Sequence, residues 1–224
     1  MASSYYPRII TDGMVLCLDA GNTESYVSGS TSWFDLSNNS ISGSLVSSPT
    51  YSFNNCGYLT LNGTSQFVTF TNNISRLPYG ASPGTIEAWC YATSSPGAWA
   101  WAFTYGSAGN GNARGIGIGA SSFITTGWGA AYDLTVSGTS LNRWLQLTQV
   151  YDGTTLYLYV NSVLQGTKVV TLNTLQSNAQ IGKENSPGTN YWAGNISNVR
   201  VYNRALSATE ISQNFNVSRG RFGI

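Results

Sequence analysis

The chain contains no histidine, little charge and no long apolar run. Without an imidazole, His-based catalytic triads and His-ligated metal sites are excluded. Charged residues make up 8% of the 224 and the formal net charge is +1, whereas about 25% is usual for a globular domain. A nucleic-acid partner needs a concentrated basic patch, which this composition does not supply. No apolar stretch approaches the roughly 20 residues of a membrane-spanning helix, so no membrane partner is expected. The opening M-A-S-S-Y-Y-P-R-I-I lacks the charged segment and apolar core of a secretory signal. A protein made and folded in a cytoplasm is the expectation.

Cysteines are few and odd in number: Cys17, Cys56 and Cys90. Their spacing suits no metal site. Cys17 and Cys90 lie in apolar, strand-like runs, where a free thiol acts as a small buried hydrophobe; a disulfide between them is the alternative. Carboxylates are also sparse. Retaining glycosidases need two of them about 5–5.5 Å apart, which on a strand means i and i+2 or i+4. No two of Glu24, Glu87, Glu184, Glu210, Asp12, Asp19, Asp35, Asp133 and Asp152 share a strand face at that spacing. Glu87 stands alone in T-I-E-A-W, so no catalytic residue is assigned and the chain is expected not to be an enzyme.

What the chain does have is Ser, Thr, Asn and Gly at its surface positions, 13% aromatic residues, and many short β-prone runs. The run at 144–160, W-L-Q-L-T-Q-V-Y-D-G-T-T-L-Y-L-Y-V, predicts a hairpin around Asp152-Gly153. In its second arm Leu156, Leu158 and Val160 point one way, Tyr157 and Tyr159 the other. Asn161-Ser162 adds a second turn and completes a meander. Earlier strands are predicted at 14–19, 49–53, 57–61, 66–70 and 85–91, with Asn62-Gly63-Thr64 read as a hairpin turn. Between them, 22–43 reads as a surface loop pinned by Trp33-Phe34-Asp35-Leu36. Three or four strands are expected in 97–136, then two more at 179–182 and 191–203, the last with a bulge after Ile196. Ser207 and Glu210 form a capping box and Leu206 with Ile211 a hydrophobic staple, announcing one or two helical turns. The fold class is therefore all-β: a two-sheet antiparallel β-sandwich of the jelly-roll type with one short C-terminal helix. Residues 1–10 form an N-terminal arm, 11–217 the domain and 218–224 a tail.

Together these segments resemble the laminin-G-like branch of the concanavalin A-like lectin/glucanase jelly rolls. The landmarks are D-G-M-V-L-C-L-D-A-G-N (12–22), W-F-D-L-S-N-N (33–39), Y-L-T-L-N-G-T-S-Q-F-V (58–68), T-I-E-A-W (85–89), the meander, and G-N-I-S-N-V-R-V-Y-N-R-A-L-S (194–207). The resemblance implies recognition of carbohydrate or of protein surfaces, sometimes with a structural calcium. Ser197 follows Ile196 where family members often carry Asp, which removes a side-chain calcium ligand, so no cofactor is assigned. The ending E-I-S-Q-N-F-N-V-S-R-G-R-F-G-I resembles that of such domains in structural proteins of tailed bacteriophages, which implies a virion location.

Sugar binding requires aromatic faces together with amides and hydroxyls. Trp99 and Trp101 share a face, Trp128 and Tyr132 come from a nearby strand–turn region, and Asn110, Asn112 and Arg114 lie between. These seven form the expected carbohydrate site; the interior of the sandwich is the competing assignment for Trp99 and Trp101. The glycine-rich 109–119 superficially suggests a phosphate loop, but no Lys-Ser/Thr or helix follows. Tyr5, Tyr6 and Arg8 at one end, and Arg219, Arg221 and Phe222 at the other, suggest assembly arms, with frayed termini as the alternative. Three functions follow in order: a non-enzymatic virion structural protein (capsid decoration or tail fibre) partnered by other virion proteins, copies of itself or host-surface glycans; a free-standing carbohydrate-binding lectin module; and, last, a glycoside hydrolase.

Overall fold

The structure is a computed structural model that describes residues 8–72, 74–94, 99–138, 141–185 and 190–224. In chain order its strands begin with β1 (Met14–Asp19), β2 (Ser32–Trp33), β3 (Gly43–Val46), β4 (Thr50–Ser52), β5 (Tyr58–Asn62), β6 (Phe67–Phe70) and β7 (Gly84–Ser94). Then come β8 (Ala100–Gly106), β9 (Ala113–Gly119), β10 (Ser122–Thr126), β11 (Leu134–Ser137) and β12 (Trp144–Tyr151). Last are β13 (Thr155–Val160), β14 (Val163–Val169), β15 (Asn178–Ile181) and β16 (Ala193–Tyr202), followed by the helix α1 (Ala208–Ser218). Among the described residues no helix is long and apolar enough to cross a membrane.

The strands form two eight-stranded sheets. The first runs β14-β13-β12-β7-β16-β5-β4, with β1 also paired to β16; the second runs β11-β10-β9-β8-β15-β6-β3-β2. The predicted alternation is what packs them together. Ile86, Ala88 and Cys90 on β7 and Leu158 and Val160 on β13 face Phe103, Ile116, Ile118, Val68 and Phe70 of the second sheet across one core. Trp33, fully buried in that core, pins the 22–43 loop, and the Asp35 carboxylate accepts the amides of Cys17, Ser37 and Ile41. Cys17 and Cys90 are both buried free thiols rather than a disulfide.

The turns hold two corrections. Asn161-Ser162 does build its hairpin, both residues taking positive φ (+51° and +64°) as a tight two-residue turn requires. Asn62-Gly63-Thr64 does not: β5 belongs to the first sheet and β6 to the second. Asn62 Oδ1 accepts the amides of Thr64, Ser65 and Gln66 and turns the chain across the sandwich. Leu59 and Leu61 then meet Val68 and Phe70 face to face in the core, which buries more apolar surface than edge pairing would. The bulge in β16 lies between Ile196 and Asn198, as the phase shift in the sequence predicts.

The helix is longer than one or two turns. The capping box forms, with Ser207 accepting from the Glu210 amide and Glu210 accepting from the Ser207 amide. Eleven residues follow because tertiary contacts extend the stripe. Ile211 packs with Leu206, Tyr159 and Tyr202. Asn214 donates to Glu87 and to the Tyr202 hydroxyl, and the Phe215 ring stacks on Trp89 at 5.6 Å. The outer face of the first sheet, where Tyr157, Tyr159, Glu87 and Trp89 point, is thus the floor of a second, helix-covered core.

The C-terminal arm is also corrected. Residues Arg219–Phe222 form a 3-10 turn, and the Phe222 ring stacks on Trp89 at 4.2 Å and lies 4.7 Å from Trp144. Arg221 donates to both carboxylate oxygens of Asp19, at 2.7 and 2.9 Å. An aromatic ring and a guanidinium with partners in their own chain are held there, because docking in place costs no association entropy. Arg219 is exposed, 6.0 Å over the Phe215 ring. At the other end Tyr5 and Tyr6 lie outside the described residues. Arg8 is exposed, and its carbonyl accepts from Gln213 of the helix.

Two outcomes follow from this second core. Phe222→Ala lowers stability by roughly 3–5 kcal/mol in urea unfolding, whereas a free arm would leave the midpoint unmoved. Glu87 is fully buried, and burial pushes its carboxyl up to about 7 from 4.5, against the opposing pull of Arg200 and Asn214. The folded state therefore holds the extra proton in that interval, and stability falls as pH rises from about 4.5 to about 7. Glu87→Gln removes this slope, on the order of 1.4 kcal/mol per pH unit; urea midpoints measured across the interval for both proteins check it.

Candidate functional site

The seven residues of the predicted carbohydrate cluster separate into three places. Arg114 is a correction: it is 1% exposed and offers nothing to a ligand at the surface. On β9 it shares the inward phase of Ile116 and Ile118, opposite Tyr105 in the register. Its Nε donates to Thr174, its Nη2 donates to the carbonyls of Gly80 and Ser82, and its guanidinium lies 4.7 Å from the Tyr151 ring centroid. It pins the loop ahead of β7 to the end of the core.

Trp99 and Trp101 share a face, as their spacing predicts, and it is the outer face of the second sheet. A Cβ added at Gly117 would lie 3.0 Å from the Trp101 ring, and one at Gly119 2.8 Å from the Trp99 ring. The alternating R-G-I-G-I-G thus has aliphatic residues inside and glycine seats for two indoles outside. Trp101 is 3% exposed and Trp99 half-buried, so Trp99 is the accessible ring of the pair.

The third place is a loop cluster at the opposite end of β8. β8 is seven residues long, which at about 3.3 Å per residue puts it roughly 20 Å from Trp99. Here the structure does bring Asn110, Asn112, Trp128 and Tyr132 together. The Gly111 amide donates to the Trp128 carbonyl, the Tyr132 ring packs against Gly111, and Asn110 is exposed beside Gly129. Trp128 has φ +70°, a conformation that costs a bulky L-residue on the order of 1–3 kcal/mol. It is held there by its amide, which donates to Thr126 Oγ1 at 2.7 Å, while that hydroxyl donates to Asp133 at 2.6 Å. Burial raises the Asp133 carboxyl, opposed by these hydrogen bonds. The result is a half-exposed indole on a strained loop braced by hydrogen bonds, next to the exposed Asn110.

The residues that would hold a structural calcium do not fit one. Ser197 Oγ donates to the Gly57 carbonyl and accepts from Arg221, and the neighbouring Asp19 carboxylate is bound at both oxygens by the same guanidinium. A tethered cation already supplies the positive charge there. Glu87, the lone strand carboxylate, contacts Asn214 at 2.9 Å and Arg200 at 3.9 Å beneath the helix, not a second carboxylate.

The family model described as the concanavalin A-like lectin/glucanases superfamily matches residues 62–212. The chain belongs to this superfamily. No curated protein matches it. Solved structures with a similar fold include the binding domain of botulinum neurotoxin serotype G, with TM-score 0.69 and 14% identity over 91% of this chain and 51% of that one. The binding domain of Paraclostridial Mosquitocidal Protein 1 has TM-score 0.71 and 16% identity over 91% and 52%. Domain 4 of AbnA, a GH43 extracellular arabinanase from Geobacillus stearothermophilus, in complex with arabinotriose, has TM-score 0.68 and 12% identity over 92% and 98%. This chain spans about half the length of the two toxin domains. At such identities the likeness is one of fold.

The lectin-like fold also contains a cleft of about 170 Å³ bounded by Tyr26, Ser48 and Tyr51. It draws on two separate loops, and no local sequence pattern marks it. For Trp128 the strain itself is measurable. Trp128→Gly and Trp128→Ala lose the same ring, but only alanine keeps the positive-φ penalty, so the glycine variant is the more stable by about 1 kcal/mol; denaturant midpoints of the two decide this.

Proposed function

We propose that the chain is a non-catalytic glycan-binding module in which the Trp128 loop is the principal contact. The observation that carries this reading is the half-exposed Trp128 at φ +70°, braced by Thr126 and Gly111 beside the exposed amide of Asn110. Strained residues persist where the surrounding structure overdetermines them, and they cluster at ligand sites. An indole face stacks on sugar C–H groups while an amide reads hydroxyls. Membership in a superfamily of lectins and glucanases supports the ligand class. So does the arabinotriose complex of the similarly folded arabinanase domain. The burial of Glu87 against Arg200 and Asn214 supports the absence of turnover.

A glycan array followed by titration tests the proposal. Trp128→Ala weakens binding of the best glycan about tenfold or more, equivalent to about 1.4 kcal/mol, and no product sugar accumulates; unchanged binding by Trp128→Ala refutes it. A second reading, a virion structural protein carrying this domain, is favoured by the charge-poor surface, 8% charged residues. A symmetric oligomer in light scattering supports that setting, and a monomer with sugar affinity supports the free-standing module.

A further inference from the structure

β4 ends the first sheet and β2–β3 end the second, and the cleft of about 170 Å³ opens between these edges. Tyr51 of β4 and Leu45 of β3 both turn toward the interior and pack on the core. Tyr26 is 3% exposed and closes the inner end, its hydroxyl donating to the Ser30 carbonyl. From Tyr26 a line of rings runs outward: Tyr51 lies 5.0 Å from it and Phe53 a further 4.9 Å on. Phe53 is 74% exposed, so its ring is open at the outer end of this line.

The opposite wall is polar and strained. Ser47 and Ser48 both have positive φ, +58° and +52°, and Gln66 Nε2 donates to both of their carbonyls, at 3.1 and 2.9 Å. The hydroxyls of Ser28, Thr31 and Ser48 border the same space and make no hydrogen bond within the described residues. No residue lining the cleft is charged, so an anion gains nothing there. Its size admits roughly a dozen water-sized groups, the bulk of one sugar ring. Aromatic rings on one side and rotatable hydroxyls, each donor and acceptor, on the other match a neutral polyol ring with a C–H face and a hydroxyl edge.

We propose that this cleft is a second sugar subsite that takes a single neutral pyranose or furanose ring, with Tyr51 as its stacking face and Phe53, in edge contact with Tyr51, extending that aromatic line outward. The proposal rests on the glycan-binding reading but uses none of the Trp128 loop. From β3 to β10 there are five strand steps, which at about 4.8 Å each is roughly 24 Å measured along the sheet. One module could then hold two branches or two chains, gaining avidity without new contacts.

The test is saturation-transfer NMR and titration on the full chain with methyl galactoside, methyl glucoside and methyl arabinofuranoside, and with N-acetylneuraminic acid as the charged control. Two variants probe the cleft: Ser28→Trp, which fills it from an exposed loop, and Phe53→Ala, which removes the exposed ring. Urea midpoints equal to wild type confirm that both fold. The expected result is millimolar binding of at least one neutral glycoside that falls about tenfold in Ser28→Trp, falls in Phe53→Ala, and persists in Trp128→Ala, with no binding of N-acetylneuraminic acid in the cleft. Binding that is lost in Trp128→Ala but intact in both cleft variants overturns the subsite and leaves the glycan-binding reading standing. If the wild-type chain binds neither these glycosides nor any glycan of the array, both fail.

Discussion

The stack of Phe215 and Phe222 on Trp89, at 5.6 and 4.2 Å with the rings within 10° and 17° of parallel, is the contact on which the rest of the chain's closure depends. A β-sandwich buries the inner face of each sheet, and the outer face is ordinarily polar. Here the outer face of the first sheet carries an indole that must be covered. The helix and the 3-10 turn cover it. Once Phe222 is seated, its neighbour Arg221 reaches Asp19 at the end of β1 and Ser197 in β16. One aromatic contact thereby ties the last residues of the chain to its first strand.

Covering that face also decides the fate of the polar residues on it. Glu87 and Arg200 face one another across β7 and β16, and the helix seals both from water. A buried carboxylate resists ionising unless it is fully paired, and with 3.9 Å to Arg200 and one short bond from Asn214 the pairing is partial. In this superfamily a strand carboxylate invites a hydrolytic role. In this chain its surroundings are those of a structural group, and the helix that hides it is held by the same aromatic stack.

The candidate binding groups lie instead at the sheet ends and edges. Five non-glycine residues at positive φ lie in these turns and loops, and they serve two purposes. Asn161 and Ser162 adopt the conformation to turn a hairpin whose twist demands it, and Asn161 returns its side chain to the Gln146 amide. Trp128 and the Ser47–Ser48 pair close no two-residue hairpin. Each is braced from outside by a single side chain, Thr126 or Gln66, and each presents groups at the surface of a rigid scaffold, where recognition usually resides.

The amino-acid sequence by itself determined the class of the fold, because side-chain alternation is a local property that survives any arrangement of the strands. It also determined the meander at 144–160, the bulge after Ile196, and the Ser207–Glu210 cap, each written within a few consecutive residues. Only tertiary structure decided which strands share a sheet: the turn at Asn62 has hairpin chemistry, yet burying Leu59 and Leu61 against Val68 and Phe70 sends its arms to opposite sheets. The fate of the tail was also a tertiary matter, since Arg221 and Phe222 read equally well as anchors for another molecule until Asp19 and Trp89 come within reach. The same holds for the candidate site. Trp128, Asn110 and Tyr132 were nameable because they are close in the chain. Arg114 was misplaced because its phase on β9 depends on which face the sandwich closes over. The Tyr26–Tyr51 cleft was invisible because it exists only where the edges of two sheets meet.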